Sequence, residues 1–138
     1  MKMTSLWNCL PAIITVCLFA AACGTSGPSG KARLVEVWRG GDDELTMRLK
    51  DTLESAFRSS PDFVLSSGKK PGTLLVTIPS RVRFKQVDLR RQVLYDATFS
   101  STDGQNVGAS TGFCWDDALM ACATKIVKDA KVAARKIH

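Results

Sequence analysis

Two stretches of the chain carry apolar residues at the spacing of an amphipathic helix. The apolar stripe of the first consists of Leu45, Leu49, Leu53 and Phe57, after three acidic residues that suit a helix N-terminus. The stripe of the second consists of Leu119, Cys122, Ala123, Ile126, Ala130, Ala133 and Ile137. The pattern predicts helices over about 43–58 and 117–136, each with one buried face. Asp116 or Asp117 is expected to cap the second helix.

Short apolar or alternating runs elsewhere predict strands. The predicted strands cover residues 34–38, 63–66, 73–78, 92–100 and 105–113. Asp103-Gly104 predicts a two-residue hairpin turn between the last two of them. The order β-α-β-β-β-β-α predicts an α+β fold. In it, two amphipathic helices pack on one face of a mainly antiparallel sheet of four to five strands.

Residues 80–91 are unusual because basic and apolar residues alternate there. The basic residues are Arg81, Arg83, Lys85, Arg90 and Arg91, which we call the basic arm. The alternation with Val82 and Phe84 predicts a strand or an extended arm with one basic and one apolar face. Two interpretations stay open. The charge either protects a solvated edge strand against aggregation, or binds an anionic glycolipid, a polysaccharide or an acidic partner.

The first 22 residues differ from everything that follows them. Lys2 precedes an apolar run of about ten residues, roughly half the length that crosses a bilayer as a helix. Small residues then lead into Cys23, an arrangement typical of a secretory signal peptide. The chain therefore divides into a cleaved signal over 1–22, a cysteine and flexible tether over 23–31, and one α+β domain over 32–138.

Ala20-Ala21-Ala22-Cys23 resembles the lipobox of bacterial lipoproteins, with Ala20 where that family usually has Leu. The resemblance implies that Cys23 becomes the mature N-terminus and carries a lipid (the thioether-linked group and palmitate of this family). In the enteric members of the family that the chain resembles, Asp after the lipidated cysteine means retention at the inner membrane, so Gly24 at that position implies the periplasmic face of the outer membrane. Ala20 and Ala22 also fit an ordinary secretory cleavage site, which would make the protein soluble in the periplasm or secreted.

The cysteine count supports lipidation. After removal of the signal, Cys23, Cys114 and Cys122 remain, and a lipid on Cys23 leaves one pair. We expect a disulfide between Cys114 and Cys122 that pins the last helix to the last strand, with two free buried thiols as the alternative. No redox enzyme is expected because the spacing is not CxxC, and no zinc site because further ligands are missing.

The charge and the motifs exclude several function classes. The part that follows the signal keeps 18 Lys and Arg against 13 Asp and Glu, a mild excess that suits an anionic glycan, a lipid surface or an acidic protein. We expect no nucleic-acid binding, because no aromatic–basic motif occurs. Gly40-Gly41 lacks the rest of a phosphate-binding motif. His138, at the chain end, is a poor general base. We therefore expect no enzyme, no cofactor and no metal.

Trp38 and Trp115 either pack over strand ends or anchor a partner, since aromatic residues are enriched at binding hot spots.

Residues 34–137 resemble, in element order, the curli-secretion lipoproteins, the penicillin-binding-protein activator lipoproteins, the N-terminal Tol domain and the lipopolysaccharide-assembly lipoprotein. The resemblance implies an accessory subunit that plugs, recruits or activates a larger machine, and a possible homo-oligomer.

The resulting hypothesis is a non-catalytic, lipid-anchored periplasmic subunit of an envelope assembly or secretion complex. It would dock through the basic arm and an exposed tryptophan. One alternative is a protein that binds an acidic glycan or lipopolysaccharide on the basic arm. Another alternative is a periplasmic inhibitor or immunity protein.

Overall fold

A computed structural model describes residues 30–79 and 81–138. The predicted signal peptide, Cys23 and most of the tether lie outside the described residues. The helices and strands are β1 (Arg33–Arg39), α1 (Glu44–Arg58), β2 (Phe63–Leu65), β3 (Leu74–Ile78), β4 (Arg83–Val87), β5 (Arg90–Ser100), β6 (Asn106–Trp115) and α2 (Leu119–Ala134). A 3₁₀ turn over Asp116–Ala118 precedes α2.

The strands form one mixed six-stranded sheet, which corrects the expectation of four to five mainly antiparallel strands. β1 pairs in parallel with both β2 and β3. β5 pairs antiparallel with β3, β4 and β6. α1 carries the chain back between β1 and β2, as a helical crossover does, and residues 66–73 carry it back again from β2 to β3 on the other side of β1.

β3 and β4 lie end to end along the same edge of β5, because β6 occupies the other edge. Thr77 is opposite Thr98 and Arg83 is opposite Leu94, so the chain from Thr77 to Arg83 is two residues longer than the stretch of β5 from Leu94 to Thr98. The chain therefore bulges around Pro79 before it continues into β4. A proline at this place is expected, because it has no N–H to give to a ladder.

The stretch predicted as one basic arm is divided by a tight turn. β4 ends at Val87, Asp88 and Leu89 form the turn, and β5 begins at Arg90, opposite Val87. Asp88 has φ of 52°, a left-handed conformation that Asp adopts more readily than most residues. Arg90 and Arg91 consequently fold back along β4 and do not extend beyond it.

Both helices lie on one face of the sheet and contact each other. α1 packs against β1 and β2, and α2 packs mainly against β6. Their shared core contains Val35, Leu49, Leu53, Phe57, Leu74, Val76, Val93, Phe99, Ala123, Ile126 and Ala130, all almost fully buried. The opposite face of the sheet carries no helix among the described residues, so alternate strand side chains remain accessible there.

The two helix starts differ. Asp43 caps α1 as predicted, since its Oδ1 accepts a hydrogen bond from the Thr46 N–H at 3.1 Å. The predicted cap of α2 is wrong, because α2 begins at Leu119 after the 3₁₀ turn and has no side-chain cap. The carboxylates of Asp116 and Asp117 bind arginines instead.

The connection from β5 to β6 is longer than the predicted two-residue turn. Residues 101–105 form the loop, in which Ser101 and Gln105 share a backbone hydrogen bond. Gly104 has φ of 88°, which only glycine adopts without strain. The Asp103-Gly104 signal therefore marks the correct place but not the correct loop length.

Candidate partner-binding surface

The β4–β5 hairpin is attached to the body where β1 ends and α1 begins. The N–H of Gly40 donates a hydrogen bond to the carbonyl of Ile78 at 2.7 Å. A Cβ on Gly40 would stand 2.1 Å from the carbonyl oxygen of Pro79, far inside contact distance. Gly40 is therefore required for the close approach of two backbones, and no phosphate-binding role is needed to explain it.

Thr46 and Asp43 connect the start of α1 to the chain that leads into β4. The Val82 N–H donates to Thr46 Oγ1 at 2.9 Å, and that hydroxyl donates to Asp43 Oδ2 at 2.7 Å. The hydrogen bond from Thr46 lowers the pKa of Asp43 below its ordinary value of 3.8. The cap of α1 thus also orients the first residues of the hairpin.

Most charges of the basic arm are neutralised by aspartates within the domain. The ion pairs join Arg81 Nε to Asp43 at 3.8 Å, Arg83 to Asp96 at 3.2 Å, Arg90 to Asp117 at 2.8 Å, and Arg91 to Asp116. Arg48, from α1, adds a second cation to Asp116 at 2.9 Å. Among the described residues, Lys85 is the one member of the arm that takes part in no ion pair. The arm is therefore not a strip of free positive charge.

Large apolar side chains are exposed around the same hairpin. Leu89, at the turn, is 99% exposed, Phe113 on β6 is 64% exposed, and Phe84 on β4 is 57% exposed. By register, Phe113 lies opposite Leu94 on the open face of the sheet, while Phe84 lies opposite Val93 on the side that faces the helices. Phe84 and Phe113 therefore lie on opposite faces of the sheet, and Leu89 lies at the turn. We call these three residues the hairpin surface. Sequence reasoning did not select these residues as functional.

Two arginines of the arm lie against aromatic rings at this surface. The Arg90 guanidinium is 4.3 Å from the centre of the Trp115 ring, and the Arg91 guanidinium is 5.5 Å from that of Phe84. A guanidinium at such a distance is attracted to the ring face, so these side chains are held in place. Trp115 therefore packs on the hairpin while it remains partly accessible.

Trp38 lies on the same open face but apart from the hairpin surface, because β3 and β5 separate β1 from β6. Its ring is 42% exposed, and the Lys69 ammonium stands 4.5 Å from the ring centre. The structure thus brings Trp115, Arg90 and Arg91 together, and it leaves Trp38 outside the group.

A disulfide joins Cys114, near the end of β6, to Cys122 in the first turn of α2. Their Cα atoms are 5.6 Å apart, within the usual range for a disulfide. The bond closes the corner that contains Trp115, Asp116 and Asp117. It therefore holds the partners of Arg90 and Arg91 in a fixed position relative to the sheet.

The hairpin and the 3₁₀ turn enclose an open cleft of about 390 Å³. Its lining consists of Gln86, Leu89, Arg90, Arg91, Asp116 and Asp117. Within residues 30–79 and 81–138, no three His, Cys, Asp or Glu side chains come together as a set of metal ligands. No helix in the described part of the chain is long and apolar enough to span a bilayer.

A second polar network, not predicted from the sequence, joins α2 to β6. Asp129 Oδ2 accepts hydrogen bonds from Ser110 Oγ and from Lys125 Nζ, each at 2.6 Å. Burial alone would raise the pKa of Asp129, but these two hydrogen bonds outweigh it and leave the pKa below 3.8. The hydrogen bond to Asp129 also raises the pKa of Lys125. The network fastens the middle of α2 to the sheet.

Comparison with known proteins finds only distant structural similarity. No protein-family model and no curated protein sequence matches the chain. A minor lipoprotein from Acinetobacter baumannii shares 11% identity over 76% of this chain and 95% of its own, with a TM-score of 0.46. The PelC dodecamer from Paraburkholderia phytofirmans shares 17% identity over 80% of this chain and 95% of its own, also with a TM-score of 0.46. At such values, the similarity assigns no activity.

Proposed function

We propose that this chain is a lipid-anchored accessory subunit of the bacterial cell envelope, with a binding and not a catalytic role. Its lipid would be carried by Cys23 on the periplasmic face of the outer membrane. The domain would dock onto a larger assembly or secretion complex through the hairpin surface. The leader and its lipobox-like end support the periplasmic location and the lipid anchor, and the hairpin surface supports the mode of binding.

The observation that carries this proposal is the combination of exposed apolar side chains and neutralised arginines at one end of the domain. Phe84, Leu89 and Phe113 expose apolar area that a protein partner would cover by contacting both faces of the sheet at this end. Arg90 and Arg91 are already oriented by aspartates and rings, so little side-chain entropy is lost when they contact a partner. Aromatic residues and arginine are also the types enriched at protein interfaces.

The same geometry argues against the glycan-binding alternative on the basic arm. A polyanion needs cations that are free to approach its charged groups, and four of the five basic side chains already face aspartates. Binding of a sulfated or phosphorylated polymer at the arm would have to break these pairs. A protein partner with an apolar patch needs no such rearrangement.

The test is a pull-down from membranes solubilised in mild detergent, with the full chain tagged after His138. The triple variant Phe84→Ser/Leu89→Ser/Phe113→Ser should lose the specific partner complex. The matched control Met47→Ser/Met120→Ser/Val132→Ser removes three exposed apolar side chains from the helices and should keep the complex. A partner that stays bound to the first variant would refute the hairpin surface as the docking site.

The same experiment tests the lipid anchor and the alternative that the basic arm binds a glycan or lipopolysaccharide. The intact mass of the bait should show a lipid-sized increment on the chain that begins at Cys23, and an unmodified mass would refute the lipid anchor. The charge-reversal variant Arg81→Glu/Arg83→Glu/Lys85→Glu addresses the basic arm. If this variant alone abolishes binding, and if added salt does the same to the unmodified protein, the glycan or lipopolysaccharide alternative replaces the proposal.

A further inference from the structure

The described chain begins at one end of the domain. At this end, residues of β1, residues just before β2 and the end of α2 contact each other. Arg33 donates a hydrogen bond from Nη2 to the carbonyl of Ile137 at 3.3 Å. The Lys131 ammonium lies 2.8 Å from the carboxylate of Asp62, just before β2. Gly30 and the residues that lead into β1 therefore lie beside the last turns of α2. We call this the entry end.

Basic side chains are concentrated at the entry end. Lys31, Arg33, Lys131 and Arg135 line a cleft of about 170 Å³, and of the described residues that line it only Asp62 is acidic. Lys128 precedes Lys131 by three positions and Arg135 by seven, so the three lie on one face of α2. We call Lys31, Arg33, Lys128, Lys131 and Arg135 the entry cluster.

The charges of the entry cluster are largely uncompensated. Asp62 neutralises Lys131, but in the described part of the chain no ion pair involves Lys31, Lys128 or Arg135. The dipole at the end of α2 supplies some negative charge here, which accounts for basic residues in the last turn of that helix. Lys31 and Lys128 lie outside that turn, so the dipole does not explain them.

The connection to the leader places the entry end next to the predicted anchor. Gly30 is seven positions after Cys23, a span of at most about 25 Å when fully extended. α2 has 16 residues and runs from the hairpin corner to the entry end, a length of about 24 Å. A membrane that holds Cys23 would therefore meet the entry end before the hairpin surface.

We infer that the entry cluster lies on the anionic phospholipid headgroups of the leaflet that holds the lipid on Cys23, an inference that rests on the anchor proposed above. The headgroup phosphates would pair with Lys31, Lys128 and Arg135, and the hairpin surface would point away from the membrane toward the partner complex. Each basic residue close to an anionic surface contributes roughly a fivefold gain in binding. The three uncompensated residues would together contribute on the order of 100-fold.

The experiment is lysine footprinting of the full chain, reconstituted from detergent into phosphatidylcholine vesicles or into vesicles with about a third phosphatidylglycerol. Acetylation of each lysine is followed by mass spectrometry. Lys31, Lys128 and Lys131 should react several-fold more slowly in the anionic vesicles than in the neutral ones. Lys85, which is exposed at the hairpin end, should react equally in both and serves as the internal control. Added salt at 0.5 M should abolish the difference, since the Debye length is then only about 4 Å.

Several outcomes would overturn the inference. Equal protection of Lys85, protection that persists in neutral vesicles, or no protection while the chain is bound to the vesicles would each do so. Equal protection by a soluble acidic polysaccharide without vesicles would assign the cluster to a glycan instead. If the intact mass shows no lipid on Cys23, the anchor fails, but selective protection of the unlipidated chain on anionic vesicles would still support the surface.

A pair of charge-matched variants sharpens the test. Lys31→Gln/Lys128→Gln/Arg135→Gln should remove the difference between the two vesicle types, with Lys131 as the remaining reporter. Arg39→Gln/Lys70→Gln/Lys85→Gln removes the same charge outside the cluster and should keep the difference. If both triple variants behave alike, total charge and not the entry cluster determines the contact, and the inference is wrong.

Discussion

The two ends of the domain treat positive charge in opposite ways. At the hairpin end, Arg83, Arg90 and Arg91 are each paired with an aspartate of the same chain. At the entry end, Lys31, Lys128 and Arg135 have no acidic partner among the described residues, and only Lys131 is paired. The richest basic stretch of the sequence is therefore not the place of free charge in the fold. An ion-paired arginine orients a contact, whereas an unpaired lysine attracts an anion over a distance.

The largest expected loss of stability comes from a substitution at Gly40, at the base of the hairpin end. Gly40→Ala should destabilise the protein by about 3 kcal/mol, because the new Cβ would overlap the Pro79 carbonyl. Urea unfolding followed by circular dichroism measures the change in the free energy of unfolding. Gly30→Ala, at a position with no atom within 4 Å of the added Cβ, is the control and should change little. A loss below about 0.5 kcal/mol in Gly40→Ala would contradict the proposed close approach.

Removal of the disulfide should loosen the hairpin end more than the entry end. Cys114→Ala/Cys122→Ala should lower stability by about 2.5 kcal/mol, the loop-closure value for a short covalent loop. Amide hydrogen exchange should speed up at Leu119–Cys122 before it does so at Ala130–Ala134. A reductant should lower the stability of the unmodified protein by a similar amount and leave the variant unchanged. Uniform acceleration along α2 would show that the bond stabilises the whole fold and not its corner.

Release of the paired arginines should make the hairpin end resemble the entry end. Asp116→Asn/Asp117→Asn frees Arg48, Arg90 and Arg91 and should cost about 1 kcal/mol of stability, since the arginine side chains are about half exposed, although Asp116 is largely covered. Affinity for dextran sulfate at low salt should rise about tenfold as the free charge accumulates.

Asp42→Asn/Asp51→Asn is the control for this experiment, because it alters net charge by the same amount at acids outside the ion pairs of the described residues. It should raise dextran sulfate affinity much less. Equal gains in both double variants would mean that net charge, and not the release of arginines, governs polyanion binding.

The smallest expected effect concerns Asp129, which lies between the two ends. Its pKa in the folded protein is below 3.8, so the unfolded chain binds more protons between the two values. The stabilisation is present above about pH 4 and is lost as the pH falls through the lowered pKa. Asp129→Asn should give a shallower loss of stability in acid than the unmodified protein does, in urea unfolding from pH 6 to pH 2. Asp51→Asn is the control, and an unchanged acid slope in Asp129→Asn would refute the assignment.

Local patterns predicted the elements well where periodicity was strong. The stripe from Leu45 to Phe57 is buried along α1 as expected, and the predicted cap Asp43 is observed. The turn at Asp88 and Leu89 was missed because an uninterrupted alternation concealed it, although Asp tolerates the left-handed conformation found there. The parallel pairs of β1 could not be read from single strands, because they depend on how α1 and residues 66–73 carry the chain from β1 to β2 and then to β3.

The candidate site was predicted only in part. The sequence placed Trp115, Arg90 and Arg91 among the binding candidates, and the structure brings these three together. The sequence did not indicate Leu89 or Phe113, because the turn at Leu89 was not predicted and Phe113 was one apolar residue of a predicted strand. It also assigned Asp116 and Asp117 to a helix cap, since the arginines that bind them are distant in the chain.

The sequence by itself determined what depends on neighbouring residues. That includes the two amphipathic helices, the strand segments, the net positive charge and a leader of the secretory type, all set by local composition and periodicity. Only the tertiary structure decided where the charge is free, because Asp116 meets Arg91 across 25 residues and Arg48 across 68. These ion pairs depend on strand register and helix packing, which bring together residues that are far apart in the sequence.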